Sequence, residues 1–172
     1  LYSALDRPQE AEKAFRSALR RDPLSLPAME ELFVFLDRSG RLESLIPDLQ
    51  AALKREDDSL MHHNWLGLAY RREGNLTGAE QELRRAMELG PDQAGIAANL
   101  GIVYLQLDRT GEAVEVLERA LNRDPTSIEV RTNLLVALGK NANVARAAAV
   151  FEEGKKIRPD VPGLYNAMAY AY

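Results

Sequence analysis

The chain has 172 residues, 46% of them hydrophobic, enough for one packed domain or one continuous array and near the upper end for a single ordinary core. Its 22 Lys and Arg stand against 26 Asp and Glu, a formal net charge of -4 at pH 7, which removes the broad positive field that nucleic acid or an anionic membrane surface needs and leaves protein as the expected partner. With no cysteine there is no disulfide framework and no thiolate metal site, the compartment is left open, and no apolar run approaches the roughly 20 residues of a membrane span, so direct membrane insertion is not expected.

Sliding the sequence against itself exposes a 34-residue period. Pro91, Pro125 and Pro159 lie one period apart, and Pro23 lies two periods before Pro91. One column reads Leu32, Leu66, Leu100, Leu134, Met168; another reads Tyr2, Leu36, Tyr70, Tyr104, Leu138, Tyr172. Two further columns hold Ala11, Leu45, Ala79, Ala113, Ala147 and Phe15, Leu49, Leu83, Leu117, Phe151; a fifth, Ala18, Ala52, Ala86, Ala120, Gly154, is small throughout. Registered columns of this kind belong to stacked units, none of which buries its apolar face alone. They divide a single array over 1–172 into units 1–25 (partial), 26–59, 60–93, 94–127, 128–161 and 162–172 (partial).

Taken in chain order, unit 1–25 supplies a second helix carrying Ala11, Phe15 and Ala18. Unit 26–59 is degenerate: Phe33 and Leu45 occupy small columns, Asp57 the proline column, and Pro47 falls inside the expected second helix. That helix is expected to begin late, from about Ser44, because a proline in the first turn removes a donor that has no partner there. In unit 60–93, Leu66, Ala69, Tyr70 and Glu73 follow one helical face, and Ala79, Leu83, Ala86 and Met87 another, after a break at EGNLTG. Each unit is therefore two antiparallel helices. Gly67 and Gly101 on the first helix, with Ala79 and Ala113 on the second, allow close approach, and the proline ends the second helix. In unit 128–161, Leu135 replaces the glycine and GKNAN replaces the usual turn, so the first helix is expected to end early, near Gly139 to Asn141. Residues 162–172 form a first helix alone, whose Leu164, Met168 and Tyr172 keep the core columns with no second helix to cover them.

The pattern resembles the tetratricopeptide repeat: a large residue, two others, Leu-Gly, two others, Tyr, then Ala, three others, Phe, then Pro. His63, Leu66, Gly67, Tyr70, Ala79, Leu83 and Pro91 match it, as do Ala97, Leu100, Gly101, Tyr104, Ala113, Leu117 and Pro125. The resemblance implies an all-α fold, a right-handed α-α superhelix (solenoid) of helix-turn-helix repeats, and a non-catalytic protein-binding scaffold rather than an enzyme.

The residues themselves give a catalytic reading little support. His62 and His63 are adjacent on a helix and point about 100° apart, which prevents joint chelation of one ion, and His62 falls in an apolar column with Ala28, Ile96, Val130 and Leu164. No phosphate-cradling glycine loop, nucleophile elbow or metal-spaced carboxylate set is present, so no catalytic, cofactor or metal residue is assigned. Trp65, Leu68 and Arg72 form an i, i+3, i+7 stripe about 110° round the helix from the core face. It repeats as Glu31, Trp65, Asn99, Asn133, Ala167; as Val34, Leu68, Ile102, Val136, Tyr170; and as Arg38, Arg72, Gln106, Lys140. In the family resembled, first helices line the concave face. The resemblance thus implies a peptide-binding groove of Trp65, Leu68, Arg72, Asn99, Ile102, Asn133, Val136 and Lys140, with the asparagines on the ligand backbone and the apolar column beneath its side chains. Against this stands the plainer reading that the apolar positions only pack neighbouring first helices and that Trp65 lies against one of them.

A chaperone-tail clamp for an acidic C-terminal peptide is rejected, because its cationic positions fall on Gly95 and Glu129. The pairs Arg20-Arg21, Arg71-Arg72 and Arg84-Arg85 are scattered among acids without interleaved aromatics, as on solvated helix faces. Two other roles compete with the scaffold reading. One is an accessory domain of a larger glycosyltransferase- or sulfatase-like enzyme or of a bacterial envelope or secretion assembly. The other is head-to-tail self-association, with 162–172 of one chain laid on Ala11, Phe15 and Ala18 of the next.

Overall fold

The computed structural model describes residues 8–22, 25–55 and 58–171. The expectations placed on Leu1, Tyr2, Pro23, Asp57 and Tyr172 lie outside these. Among the described residues there are ten α-helices and no strand: α1 (Pro8–Arg21), α2 (Leu26–Arg38), α3 (Ile46–Leu53), α4 (Leu60–Glu73), α5 (Leu76–Leu89), α6 (Ala94–Gln106), α7 (Thr110–Arg123), α8 (Ile128–Lys140), α9 (Val144–Ile157) and α10 (Pro162–Ala171). A 3-10 turn at Leu42–Leu45 precedes α3. The helices fall into two compact units, residues 1–89 and 90–172, divided between α5 and α6.

The first unit absorbs its irregular repeat by enlarging its core. Pro47 sits in the first turn of α3, where its missing N–H costs nothing. The helix is correspondingly short, eight residues, and starts at Ile46, two residues later than the sequence suggests. The 3-10 turn before it turns Leu42 and Leu45 inward, where they join Met29, Leu32, Leu36 and Leu49. Leu45, out of place in a column of alanines, is wholly buried. Between α4 and α5 the glycine column works as its spacing implies: a Cβ on Gly67 would lie 2.6 Å from Leu83 Cγ. On the unit's surface Glu12 bonds both Arg16 and Arg41; burial pushes its carboxyl up, but those two guanidinium bonds outweigh it and hold the group below the usual carboxylate range.

In the second unit α6 and α7 repeat this close approach, with Gly101 facing Leu117; an added Cβ would come within 2.8 Å. The third pair departs from it. Leu135 fills the glycine column and is fully buried, and Arg131, in the column of His63 and Ala97, runs into the core at 2% exposure. Its guanidinium donates to the Pro125 and Val150 carbonyls at 2.7 and 3.2 Å and reaches Glu153 at 3.1 Å. Gly154 makes room for it, since a Cβ there would lie 2.6 Å from Arg131 Cδ.

One expectation, and part of another, need correction in this unit. Helix α8 stops at Lys140, within the expected Gly139 to Asn141, but this is not an early end: it has 13 residues, as α6 has, and Lys140 lies one period after Gln106. The GKNAN segment closes with the same hydrogen bond as the other turns, Asn143 N–H to Leu138 O at 2.9 Å, matching Arg109 to Tyr104, Asn75 to Tyr70 and Arg41 to Leu36. The final helix does not leave its core columns in water either. Leu164, Ala167, Met168 and Ala171 are buried where α10 packs on α8 and α9. Gly139 permits that packing, for its Cβ would come within 2.7 Å of the Ala171 Cα.

Candidate functional site

In the first unit the proposed stripe lies on α4. Trp65 is 5% exposed and stacks on Phe33 of α2, ring centroids 5.9 Å apart and planes 27° from parallel. His62, 1% exposed, stands edge-on to the same indole. This corrects the expectation that Trp65 presents its ring to a ligand. Phe33 sits where the next two repeats carry glycine, and a phenyl ring there draws the indole into the core. Leu68 is half-buried; Arg72 is exposed and donates to Asp37 at 3.2 Å. Val34, one helix earlier in the column, is exposed.

In the second unit the same columns stand on α6, α8 and α10, and α8 packs against both of the others. Asn99 and Asn133 are half-buried, as are Ile102 and Val136. Tyr170 continues the apolar column on α10 at 58% exposure. The amide column ends at Ala167, which is buried. Lys140 is exposed and folds its ammonium back onto the Leu105 carbonyl at 3.3 Å. Five of the eight named positions, Asn99, Ile102, Asn133, Val136 and Lys140, are thus brought onto adjoining helices of one unit, and the other three belong to the first.

Sequence reasoning passed over two things. Asn166 and Thr132 also reach the surface of α10 and α8, in a column whose α6 member, Ala98, is buried. His63, matched only as the large residue of a motif, sets Nδ1 2.6 Å from Glu82 Oε2 and Nε2 3.6 Å from Asp58 Oδ1. Two bonds from Arg85 hold the Asp58 carboxyl below its usual range against a smaller opposing push from desolvation. The sequence signal for this cluster was thin, a histidine 19 residues before a glutamate in the paired helix. Among the described residues no group of three or more His, Asp or Glu is arranged to hold a metal ion.

Two models of the tetratricopeptide repeat match the chain, over residues 36–94 and 70–132. No curated protein sequence matches. Among solved structures the chain is similar to TTC0263, a thermophilic TPR protein of Thermus thermophilus, at 23% identity over 98% of this chain and 92% of that one, with a TM-score of 0.75. MamA gives a TM-score of 0.75 at 20% identity over 86% of each chain. YrrB, described as a TPR protein with an unusual peptide-binding site, gives 0.71 at 17% identity, covering 94% of this chain and 83% of its own. At such identities the likeness is one of fold.

Proposed function

We propose that this chain, which belongs to the tetratricopeptide-repeat family, is a protein-interaction scaffold without chemistry of its own, binding an extended segment of another polypeptide on its first helices. The observation that carries this is the second unit's surface: Ile102, Val136 and Tyr170 stand in register on three packed helices, beside Asn99 and Asn133. An asparagine side chain both donates and accepts, so a pair one repeat apart suits the N–H and C=O groups of a peptide backbone, while the apolar column takes side chains. The peptide-binding site in the description of YrrB gives the reading a precedent within the fold.

The head-to-tail alternative loses its main support, because the columns that were to be sticky on α10 are already covered by α8 and α9. To test the scaffold reading, cross-linking residues placed at Val136 and Tyr170 should capture a polypeptide partner in the source cell, and Asn99→Ala with Asn133→Ala should abolish the capture. Cross-links that persist unchanged in the double variant would contradict it.

A further inference from the structure

The second unit distributes its charge unevenly. Charged residues make up 28% of the chain, yet α6 and α10 contain none. Helix α8 has three: Arg131, which is buried, Glu129 in its first turn and Lys140 in its last. The second helices of the same repeats carry the opposite load, with Glu112, Glu115, Glu118, Arg119 and Arg123 on α7 alone. The surface of α6, α8 and α10 is therefore uncharged except at the two ends of α8, where an acid near the N-terminus and a base near the C-terminus also serve the helix dipole.

From this we infer that the partner is an uncharged extended segment, aliphatic or aromatic at the positions that meet Ile102, Val136 and Tyr170; the inference rests on the groove reading and adds the chemistry of its occupant. Between the two ends of α8, a charged side chain laid across this surface would lose hydration and find no counter-ion on these helices, since Lys140 lies at the C-terminal end with its ammonium on the Leu105 carbonyl; an aliphatic or aromatic side chain avoids that cost. The length follows from geometry. Packed helices lie about 9 Å apart and an extended strand advances about 3.3 Å per residue, so crossing from α6 to α10 takes roughly six residues. Tyr170, the most exposed of the large apolar residues among those described, offers an aromatic anchor at one end, and the asparagines hold the backbone between.

The test is selection from a phage-displayed library of random dodecapeptides on the whole chain, with counter-selection on Tyr170→Ala. Because Tyr170 is largely exposed, that variant keeps the fold, which circular dichroism checks. Recovered peptides should share a run of about six uncharged residues containing aliphatic or aromatic side chains, and their affinity should change less than about twofold between low and high salt, since no charge pair is screened. Tyr170→Ala should weaken them about tenfold or more, and Asn133→Ala should weaken them regardless of their side chains. Acidic or basic peptides, bound less tightly at high salt but still dependent on Tyr170 and Asn133, would overturn the inference and leave the groove standing. Peptides indifferent to both substitutions, or no enrichment at all, would overturn the groove and the inference together.

Discussion

At the scale of single residues, side chains that break the repeat have been given new work. Trp65 is the clearest case: stacked on Phe33 and 5% exposed, it belongs to the first unit's core. Trp65→Ala is therefore expected to cost on the order of 3–5 kcal/mol of stability, read as an earlier urea midpoint, and to affect ligand binding only through that loss. The turns offer a second case. Gly40, Gly74, Asp108 and Ala142, one period apart, all adopt left-handed backbone, with φ of 68°, 92°, 58° and 52°. An alanine held there costs about 1–2 kcal/mol, more than the roughly 0.5–1 kcal/mol of unfolded-chain entropy that a glycine adds. Ala142→Gly should thus stabilise by about 0.5–1 kcal/mol, seen as a later urea midpoint at unchanged slope; a midpoint that moves earlier would contradict the strain. Asp58 gives a pH dependence. Its carboxyl is held below the usual range by Arg85, so the stability it contributes is present above about pH 4 and is lost as pH falls through the lowered folded value. Asp58 also has φ of 66°, which asparagine tolerates, so Asp58→Asn removes the charge without disturbing the backbone. The variant should be less stable than wild type at neutral pH and should lose less on acidification, as followed by urea melts across the acid range.

At the scale of elements, the fold is a set of helix pairs held close by small residues, and at Gly139 the room a glycine leaves is bounded by backbone, that of Ala171 on α10. A methyl group on Gly139 would meet the Ala171 backbone at 2.7 Å, and backbone cannot turn aside as the end of a leucine does. Gly139→Ala is expected to cost about 1–3 kcal/mol and to loosen α10 in particular, so hydrogen exchange should quicken at 162–171 before it changes in α6 or α7. Helix α3 is expected to be the first element of its unit to open, for a different reason. It is short, and a 3-10 turn rather than an α-helical turn precedes it, although Leu45, Leu49 and Ala52 are wholly buried. The departures at Phe33 and Leu45 are compensated by packing, whereas the shortened ladder of hydrogen bonds is not.

At the scale of the whole molecule, each compact unit carries its own core. In the second, Val103, Leu117, Leu134, Leu138, Val150 and Leu164 lie on five successive helices and are all buried. Residues 90–172 produced alone are therefore expected to be helical and to melt cooperatively, because nearest-neighbour packing supplies most of the stability of a repeat. A non-cooperative melt of this fragment would show that its core depends on residues 1–89.

Apart from the start of α3 at Ile46 and the regular closure of the GKNAN turn, the 34-residue period, the pairing of helices and the register of the turns were legible in the sequence. Each depends on contacts within one repeat or between consecutive ones, and such contacts leave a fixed spacing behind. The tertiary structure alone decided which edge residues turn inward. Trp65 and Asn99 share a column, yet the indole is buried against Phe33 and the amide is half-exposed, because a ring some 110° from the core face follows whatever its neighbouring helix offers. Arg131 carries no repeat signal in the sequence; it is buried because Gly154, 23 residues on, leaves room for its stem, and two backbone carbonyls and Glu153 receive its charge. Leu164 and Met168 keep the core columns in a repeat that lacks a second helix, which predicts that part of their face stays in water, but α8 and α9 of the repeat before already cover them. A column of residue types records the average surroundings of a position along the array, whereas burial at any one member depends on the volume its particular neighbours leave free, and that is set by close packing in three dimensions.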